Sequence, residues 1–259
     1  MNIVPLNINV NNGKQIYFLS DLHLGAQSYN ESFVREQYII EFLQQIKNTT
    51  QALFLVGDVF DFWFEYNHVV PKYFVRFLAC LSEFTQQQIP VYIIKGNHDL
   101  WYNDYLPKEI GVTIIDDSVE LTSNNKKIFI THGDGKGKGD FKYRFLKKIF
   151  TNPICKWLFK WLHPDIGMKL ALLWSRSSFD HPKEEKFNGE AKERLIQFAK
   201  EMENNNHYDY IICGHRHLPM EIAINNNSKY INLGDLIFHN SYASFDGNNL
   251  SLHYLNQND

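Results

Sequence analysis

Five short clusters of acidic, amide and imidazole residues are spread along the chain, and each follows an apolar run of strand length. They are Asp21-Leu22-His23, Gly57-Asp58, Gly96-Asn97-His98-Asp99, His132-Gly133-Asp134 and Gly214-His215-Arg216-His217. These side chains are ligand types that suit manganese, iron and zinc. In an open α/β sheet, ligand sites lie at the carboxyl ends of the strands. The pattern therefore predicts that the five clusters converge on a metal site.

Asp58 is the candidate for a ligand shared by two ions. It is the only candidate that directly follows a predicted buried strand, residues 53–56, and a glycine. A bridging carboxylate reduces the repulsion between two divalent cations, which in such sites lie about 3.5–4 Å apart and clamp the oxygens of a displacement at phosphorus. Gly57 and Gly96 would let the backbone approach this site without a Cβ clash. We therefore expect a two-metal centre for phosphoryl chemistry.

Each cluster by itself has an ordinary explanation. An Asp-x-His sequence is usually a loop without metal, Gly-Asp after a strand is common, and Gly-Asn-His-Asp or Gly-His-x-His could be a turn or a surface loop. Five such clusters at the ends of successive apolar runs are much harder to explain as unrelated loops. The set as a whole, and no single member, indicates the metal site.

As a set, the clusters resemble the five signature blocks of calcineurin-like metallophosphoesterases, between Ser20 and His217. The resemblance implies an α/β fold, a four-layer αββα sandwich. It implies two divalent ions that share Asp58, most suitably Mn²⁺, with Fe or Zn as alternatives. The remaining ligands that it implies are Asp21, His23 and His217 for one ion, and Asn97, His132 and His215 for the other.

The resemblance also implies a catalytic role for His98, as general acid or as a stabiliser of the phosphoryl oxygens. An imidazole beside two cations can donate a proton or a hydrogen bond where negative charge develops. Asp99 would orient His98, as carboxylates do for other catalytic imidazoles. The nucleophile would be a metal-bridging hydroxide, because bound cations lower the pKa of water.

Composition favours a soluble or peripheral intracellular protein. The chain has 259 residues, 44% of them hydrophobic, and a net charge of −3, so nothing in it suggests a nucleic-acid partner. Its three cysteines are far apart, which is typical of reduced thiols. We expect neither a signal peptide nor a membrane span. We expect a monomer with a single domain over residues 1–259.

Apolar periodicity and turn residues predict alternating strands and helices in the first half and a mainly parallel sheet region. The predicted strands are residues 16–19, 53–56, 91–94, 112–115, 119–121, 127–131, 210–213, 229–233, 241–245 and 250–255. The predicted helices are residues 32–46, with Ser32 as N-cap, 73–84, 141–162, 165–175 and 188–204.

An insertion at about residues 136–205 separates His132 from His215 and is both basic and apolar. Residues 136–176 contain ten Lys or Arg against two acidic residues, interspersed with aromatic and aliphatic side chains. Such a helical pair needs a core, a membrane interface or an acyl chain to cover its apolar surface. A plain helical cap with solvated lysines is the simpler alternative.

With this insertion the chain is similar to the UDP-2,3-diacylglucosamine pyrophosphatases of lipid A biosynthesis. In that family a helical lid caps an acyl-chain channel, and the enzyme cleaves the diphosphate to UMP and 2,3-diacylglucosamine 1-phosphate. The resemblance implies a lipid-linked nucleotide sugar as substrate and a cytoplasmic location, peripheral on the inner membrane through the lid. It implies that the substrate contacts Asp140, Tyr143 and Arg176.

One position departs from that family. Its best-known branch has arginine where this chain has His98, and Gly-Asn-His-Asp is the general phosphoesterase form. The alternative is therefore a soluble phosphodiesterase or phosphatase acting on nucleotides. A non-catalytic scaffold is a third hypothesis, but such proteins tend to lose ligands or the catalytic histidine, and this chain retains all of them.

Overall fold

The structure, a computed structural model, describes residues 2–179, 186–187 and 189–255, without the side chains of residues 142, 174 and 176–179. Its strands are β1 (Ile3–Asn7), β2 (Gln15–Leu19), β3 (Thr50–Val56), β4 (Val91–Ile94), β5 (Thr113–Ile115), β6 (Ser118–Ser123), β7 (Lys126–Thr131), β8 (Tyr210–Cys213), β9 (Met220–Asn225), β10 (Ser228–Asn232), β11 (Ser241–Phe245) and β12 (Leu250–Tyr254). Its α-helices are α1 (Tyr29–Ile46), α2 (Val75–Gln86), α3 (Phe141–Thr151), α4 (Pro153–Lys160), α5 (Pro164–Phe179) and α6 (Arg194–Asn205).

Two six-stranded sheets form the centre of the molecule. One sheet has the order β12-β11-β2-β3-β4-β5, and the other has the order β1-β6-β7-β8-β10-β9. Strands β2, β3, β4 and β5 are parallel to one another, and so are β7, β8 and β10. The carboxyl ends of neighbouring parallel strands meet at one edge, so each sheet brings its chemistry-bearing loops together.

Apolar side chains fill three successive interfaces. Phe18 and Phe54 of the first sheet and Ile130 of the second belong to one buried cluster between the sheets. Helices α1 and α2 cover the outer face of the first sheet, and α6 covers that of the second. Strands buried on both faces read as continuous apolar runs, which is why the sequence shows them clearly. The structure confirms the predicted four-layer αββα sandwich.

The helix predicted over residues 188–204 begins only at Arg194. Two further predicted helix boundaries were wrong for reasons of capping. Helix α1 begins earlier than expected, because Ser28 and Glu31 form a reciprocal capping box. Ser32 lies inside α1, and its hydroxyl accepts the Gly25 N–H at 2.7 Å. The single helix predicted over residues 141–162 is two helices, because Asn152 caps a new helix whose first residue is Pro153.

Helices α3, α4 and α5 lie between β7 and β8 and pack against the loops that follow β3 and β4. The Trp101 indole N–H donates to the Phe150 carbonyl at 2.7 Å. The ring of Phe159 packs against Phe64 and Trp101, with centroids 4.6 and 5.1 Å away. Among the described helices, none combines the length and apolar character needed to cross a membrane.

Candidate metal centre

The five sequence clusters are brought together at the carboxyl ends of parallel strands. The loops after β2, β3 and β4 come from one sheet, and those after β7 and β8 come from the other. Three groups of His and Asp side chains could each hold a metal ion, because the ligand atoms within each group lie within 4.8 Å of one another. They are Asp21, His23 and His217; Asp58, His132 and His215; and His23, Asp61 and His98.

The backbone of these loops is bent into a conformation that most residues avoid. Five of the candidate ligands have φ between 42° and 66°: Asp21, His23, Asp58, His215 and His217. Asp and His tolerate this left-handed region better than most residues, and such strain concentrates at functional sites. Gly57 also has a positive φ, and a Cβ there would lie 2.4 Å from Nδ1 of His132. Gly96 is equally constrained, because a Cβ would lie 2.1 Å from Oδ1 of Asp58.

In the first ligand set, Oδ1 of Asp21 lies 3.1 Å from Nε2 of His217 and 3.7 Å from Nε2 of His23. Nε2 of His23 is 3.3 Å from Nε2 of His217. Oδ1 of Asp21 is buried, and apart from these two imidazoles no hydrogen-bond donor reaches it in the part of the chain that the structure describes. A buried carboxylate oxygen needs compensating positive charge, which a cation held with His23 and His217 would supply.

In the second ligand set, Nε2 of His132 lies 3.2 Å from Oδ1 of Asn97 and 3.3 Å from Oδ2 of Asp58. The same Oδ2 atom is 3.7 Å from Nε2 of His23, which belongs to the first set. Oδ2 of Asp58 therefore lies between the two sets, where a bridging ligand would have to be. Nδ1 of His132 is 2.9 Å from the Val56 carbonyl, which directs Nε2 toward Asp58.

Two carboxylates that the sequence analysis left without a role support the ligand imidazoles. Oδ1 of Asp61 lies 3.4 Å from Nδ1 of His23, and Oδ2 of Asp235 lies 3.5 Å from Nδ1 of His217. Such contacts fix ring orientation in metal sites. The sequence carried a signal for Asp235: it follows β10 as Leu233-Gly234-Asp235, the same strand, glycine and aspartate pattern that identified Asp58.

His98 faces the site beside Asp58, but the carboxylate that orients it is Asp61. Nδ1 of His98 lies 3.1 Å from the Asp61 carbonyl and 3.4 Å from Asp61 Oδ1. Asp99, which was expected to orient His98, is engaged elsewhere. It accepts the Val59 N–H and the Tyr102 hydroxyl at 2.8 and 2.6 Å, so it braces the loop that carries Asp58.

Carboxylates and imidazoles lie close together in the cluster and shift one another's pKa values. Burial would raise the pKa of Asp58, but His132 and His98 hold that pKa well below its usual range. Burial lowers the pKa of His98, yet Asp58 and Asp61 raise it to about 9. For His215, burial and the neighbouring His132 lower the pKa to about 4. The ion-pair partners of Asp21 and Asp58 among the described residues are imidazoles. The centre therefore attracts positive charge, as a divalent-cation site must.

The three residues expected to contact the substrate, Asp140, Tyr143 and Arg176, lie at different places in the structure. Asp140 precedes α3 and lies 3.4 Å from the Arg194 guanidinium. The Tyr143 hydroxyl donates to Asp134 at 2.7 Å, and Lys147 pairs with the same carboxylate at 2.5 Å. Arg176 lies in α5, but its side chain falls outside the described residues. Asp140 and Tyr143 line two different cavities beside the metal centre.

An apolar cavity of about 360 Å³ opens onto the centre under the insertion helices. His98 and Asn97 line it, together with side chains of α3, α4 and α5. Its apolar lining is made by Phe62, Leu100, Trp101, Leu146, Phe150, Phe159, Leu170 and Ala171. The Ser175 hydroxyl of α5 donates to Oδ1 of Asp61 at 2.6 Å, so the insertion contacts the group that orients His98.

This fold and donor set define a class of protein. Residues 14–219 match the sequence profile of the family described as calcineurin-like phosphoesterase, which is most of the chain. The chain belongs to this family and is a metal-dependent hydrolase. The family implies divalent ions, and the Asp and His groups described above fit them.

Two relatives are similar over most of their length. The UDP-2,3-diacylglucosamine hydrolase of Porphyromonas gingivalis is 33% identical over 252 residues, which cover 92% of this chain and 96% of that protein. The protein of the same name from Yersinia enterocolitica is 28% identical, over 78% of this chain and 81% of its own. The family resemblance found in the sequence is confirmed.

Proposed function

We propose that this protein hydrolyses the diphosphate of UDP-2,3-diacylglucosamine to UMP and 2,3-diacylglucosamine 1-phosphate. The observation that carries the proposal is the apolar cavity that opens directly onto His98 and Asn97. A diphosphate at the metal centre would then have room for acyl chains beside it. The names of the two relatives support the same substrate.

Two divalent ions would be held by the two ligand sets, with Asp58 shared between them. When bound, they would supply a hydroxide at neutral pH and neutralise charge on the phosphoryl oxygens. Mn²⁺ is the ion that we favour, and Fe or Zn would suit the same ligands.

His98 would contact the substrate directly, without being a metal ligand. In the protein without ions, Asp58 and Asp61 raise the pKa of His98. A protonated imidazole at this position could donate to a phosphoryl oxygen or to the leaving group. Asp61 would hold the ring in place through its contact with Nδ1. The insertion helices would exclude water from the diphosphate, which strengthens these interactions.

The helices α3, α4 and α5, which we call the lid, would also hold the protein at the inner membrane surface. Large apolar side chains are exposed here, including Phe145 of α3, Trp157 of α4 and Trp161 directly after α4, the last with 75% of its surface exposed. Lysines lie among these side chains and suit anionic head groups. We propose a cytoplasmic monomer that is peripheral on this membrane.

The test is release of UMP from UDP-2,3-diacylglucosamine by the purified, Mn²⁺-loaded protein, measured by chromatography. Asp58→Asn serves as the inactive control, because it weakens the shared ligand. Robust hydrolysis of bis-p-nitrophenyl phosphate without release of UMP from the lipid substrate would reject the proposal. That outcome would favour a soluble phosphodiesterase, to which the general Gly-Asn-His-Asp form of the His98 cluster also points.

A further inference from the structure

A second cavity beside the metal centre is polar and shares no lining residue with the apolar one. It has a volume of about 450 Å³ and lies between the loop after β7 and the start of α6. His215 lines it, whereas Asn97 lines the apolar cavity. These two residues belong to the same candidate ligand set, so a group bound at that ion could reach into both cavities.

The polar cavity carries more basic than acidic side chains. Its basic residues are Lys136, Lys192, Arg194 and Arg216, and its acidic residues are Asp140 and Glu193. Several of these groups are held in place by ion pairs. Arg216 donates to Glu193 at 3.0 Å, and Lys136 pairs with Asp117 at 2.5 Å. Positioned donors and acceptors of both signs suit a ligand that is anionic at one end and rich in hydrogen-bonding groups elsewhere.

We infer that this polar cavity binds the nucleotide half of the substrate, as a nucleoside monophosphate. The inference rests on the proposed function. In that substrate a diphosphate joins a lipid to a nucleotide, so the two halves extend from the reacting phosphorus in different directions. Acyl chains match the cavity lined by Phe62, Trp101 and Phe159. The phosphate, ribose hydroxyls and base match the cavity lined by Lys192 and Arg194.

Binding of UMP to the Mn²⁺-loaded protein, measured by isothermal titration calorimetry, tests this assignment. In Lys192→Gln/Arg194→Gln the Kd for UMP should rise about tenfold or more, because two charge-assisted donors are lost. The control is Lys138→Gln, a nearby lysine with 92% of its side chain exposed that pairs with Glu201 at 3.0 Å. Its Kd for UMP should change by less than about twofold.

The same calorimetry with 2,3-diacylglucosamine 1-phosphate gives the complementary result. Trp101→Ala should weaken binding of this lipid more than binding of UMP. The Lys192/Arg194 double variant should weaken binding of UMP more than binding of the lipid. An unchanged Kd for UMP in the double variant, or a greater loss of UMP in Trp101→Ala, would overturn the assignment. If the double variant loses UMP but the unaltered protein does not cleave UDP-2,3-diacylglucosamine, the cavity assignment stands and the proposed function fails.

Discussion

At the residue scale, the Asp61 carboxylate contacts both a candidate metal ligand, His23, and the candidate general acid, His98. Oδ1 of Asp61 lies 3.4 Å from Nδ1 of His23 and 3.4 Å from Nδ1 of His98, and it also accepts the Ser175 hydroxyl. Carboxylates in this position set the tautomer and the direction of a ring. Asp61 therefore links the orientation of a candidate ligand to that of the candidate acid.

Replacing His98 by alanine should separate catalysis from metal binding. We expect the turnover number for UMP release to fall about a hundredfold or more, because a positioned proton donor is lost. Metal content, measured by mass spectrometry, should stay at the unaltered level. His207→Ala, which removes an exposed histidine that pairs with Glu203, is the matched control. Loss of metal in His98→Ala would show that His98 is a ligand.

Asp61→Asn and Asp99→Asn should have different effects, although the two carboxylates are both buried. Asp61→Asn should lower the turnover number about tenfold or more, because the amide holds the His98 ring less firmly. Asp99→Asn should mainly lower the melting temperature, since Asp99 braces the backbone at Val59 and the hydroxyl of Tyr102. Kinetics and thermal denaturation of both variants provide the comparison, and equal kinetic losses at equal stability would contradict it.

At the element scale, the sequence revealed those strands that are buried on both faces. β3, β4 and β8 are nearly continuous apolar runs, and the loops after them carry the predicted ligands. Strands β1 and β9 were missed, because they lie at sheet edges and alternate between exposed and covered positions without a strong apolar signal. The role of Asp61 was also missed, since it depends on loops after β2 and β4 that meet only in the folded chain.

The lid helices give a prediction about membrane binding. Trp161→Glu should lower the fraction of protein bound to vesicles that contain phosphatidylglycerol, by about tenfold in partition coefficient. The exposed indole would enter the head-group region, whereas a carboxylate in its place would be repelled by the anionic head groups. Val34→Glu is the control, because Val34 is also an exposed apolar residue but lies on α1. Equal vesicle binding by the two variants would contradict a membrane role for the lid.

At the scale of the whole molecule, the candidate ligands join the two sheets. Asp21, Asp58 and Asn97 follow strands of one sheet, and His132 and His215 follow strands of the other. The five loops are separated by up to about two hundred residues of chain, so an unfolded chain cannot present them together. Ions bound at this centre would therefore favour the folded state alone, by an amount that grows with the ratio of free ion to its Kd.

Removal of metal by EDTA should consequently lower the melting temperature. At an ion concentration about a hundred times the Kd, binding contributes about 2.7 kcal/mol. For a chain of this length that corresponds to a shift of roughly 5–10 °C, which Mn²⁺ should restore. Asp58→Asn should show a much smaller shift with EDTA, because Oδ2 of Asp58 lies between both ligand sets. Differential scanning calorimetry measures both shifts. An equal shift of the melting temperature in Asp58→Asn would mean that the stabilising ion binds elsewhere.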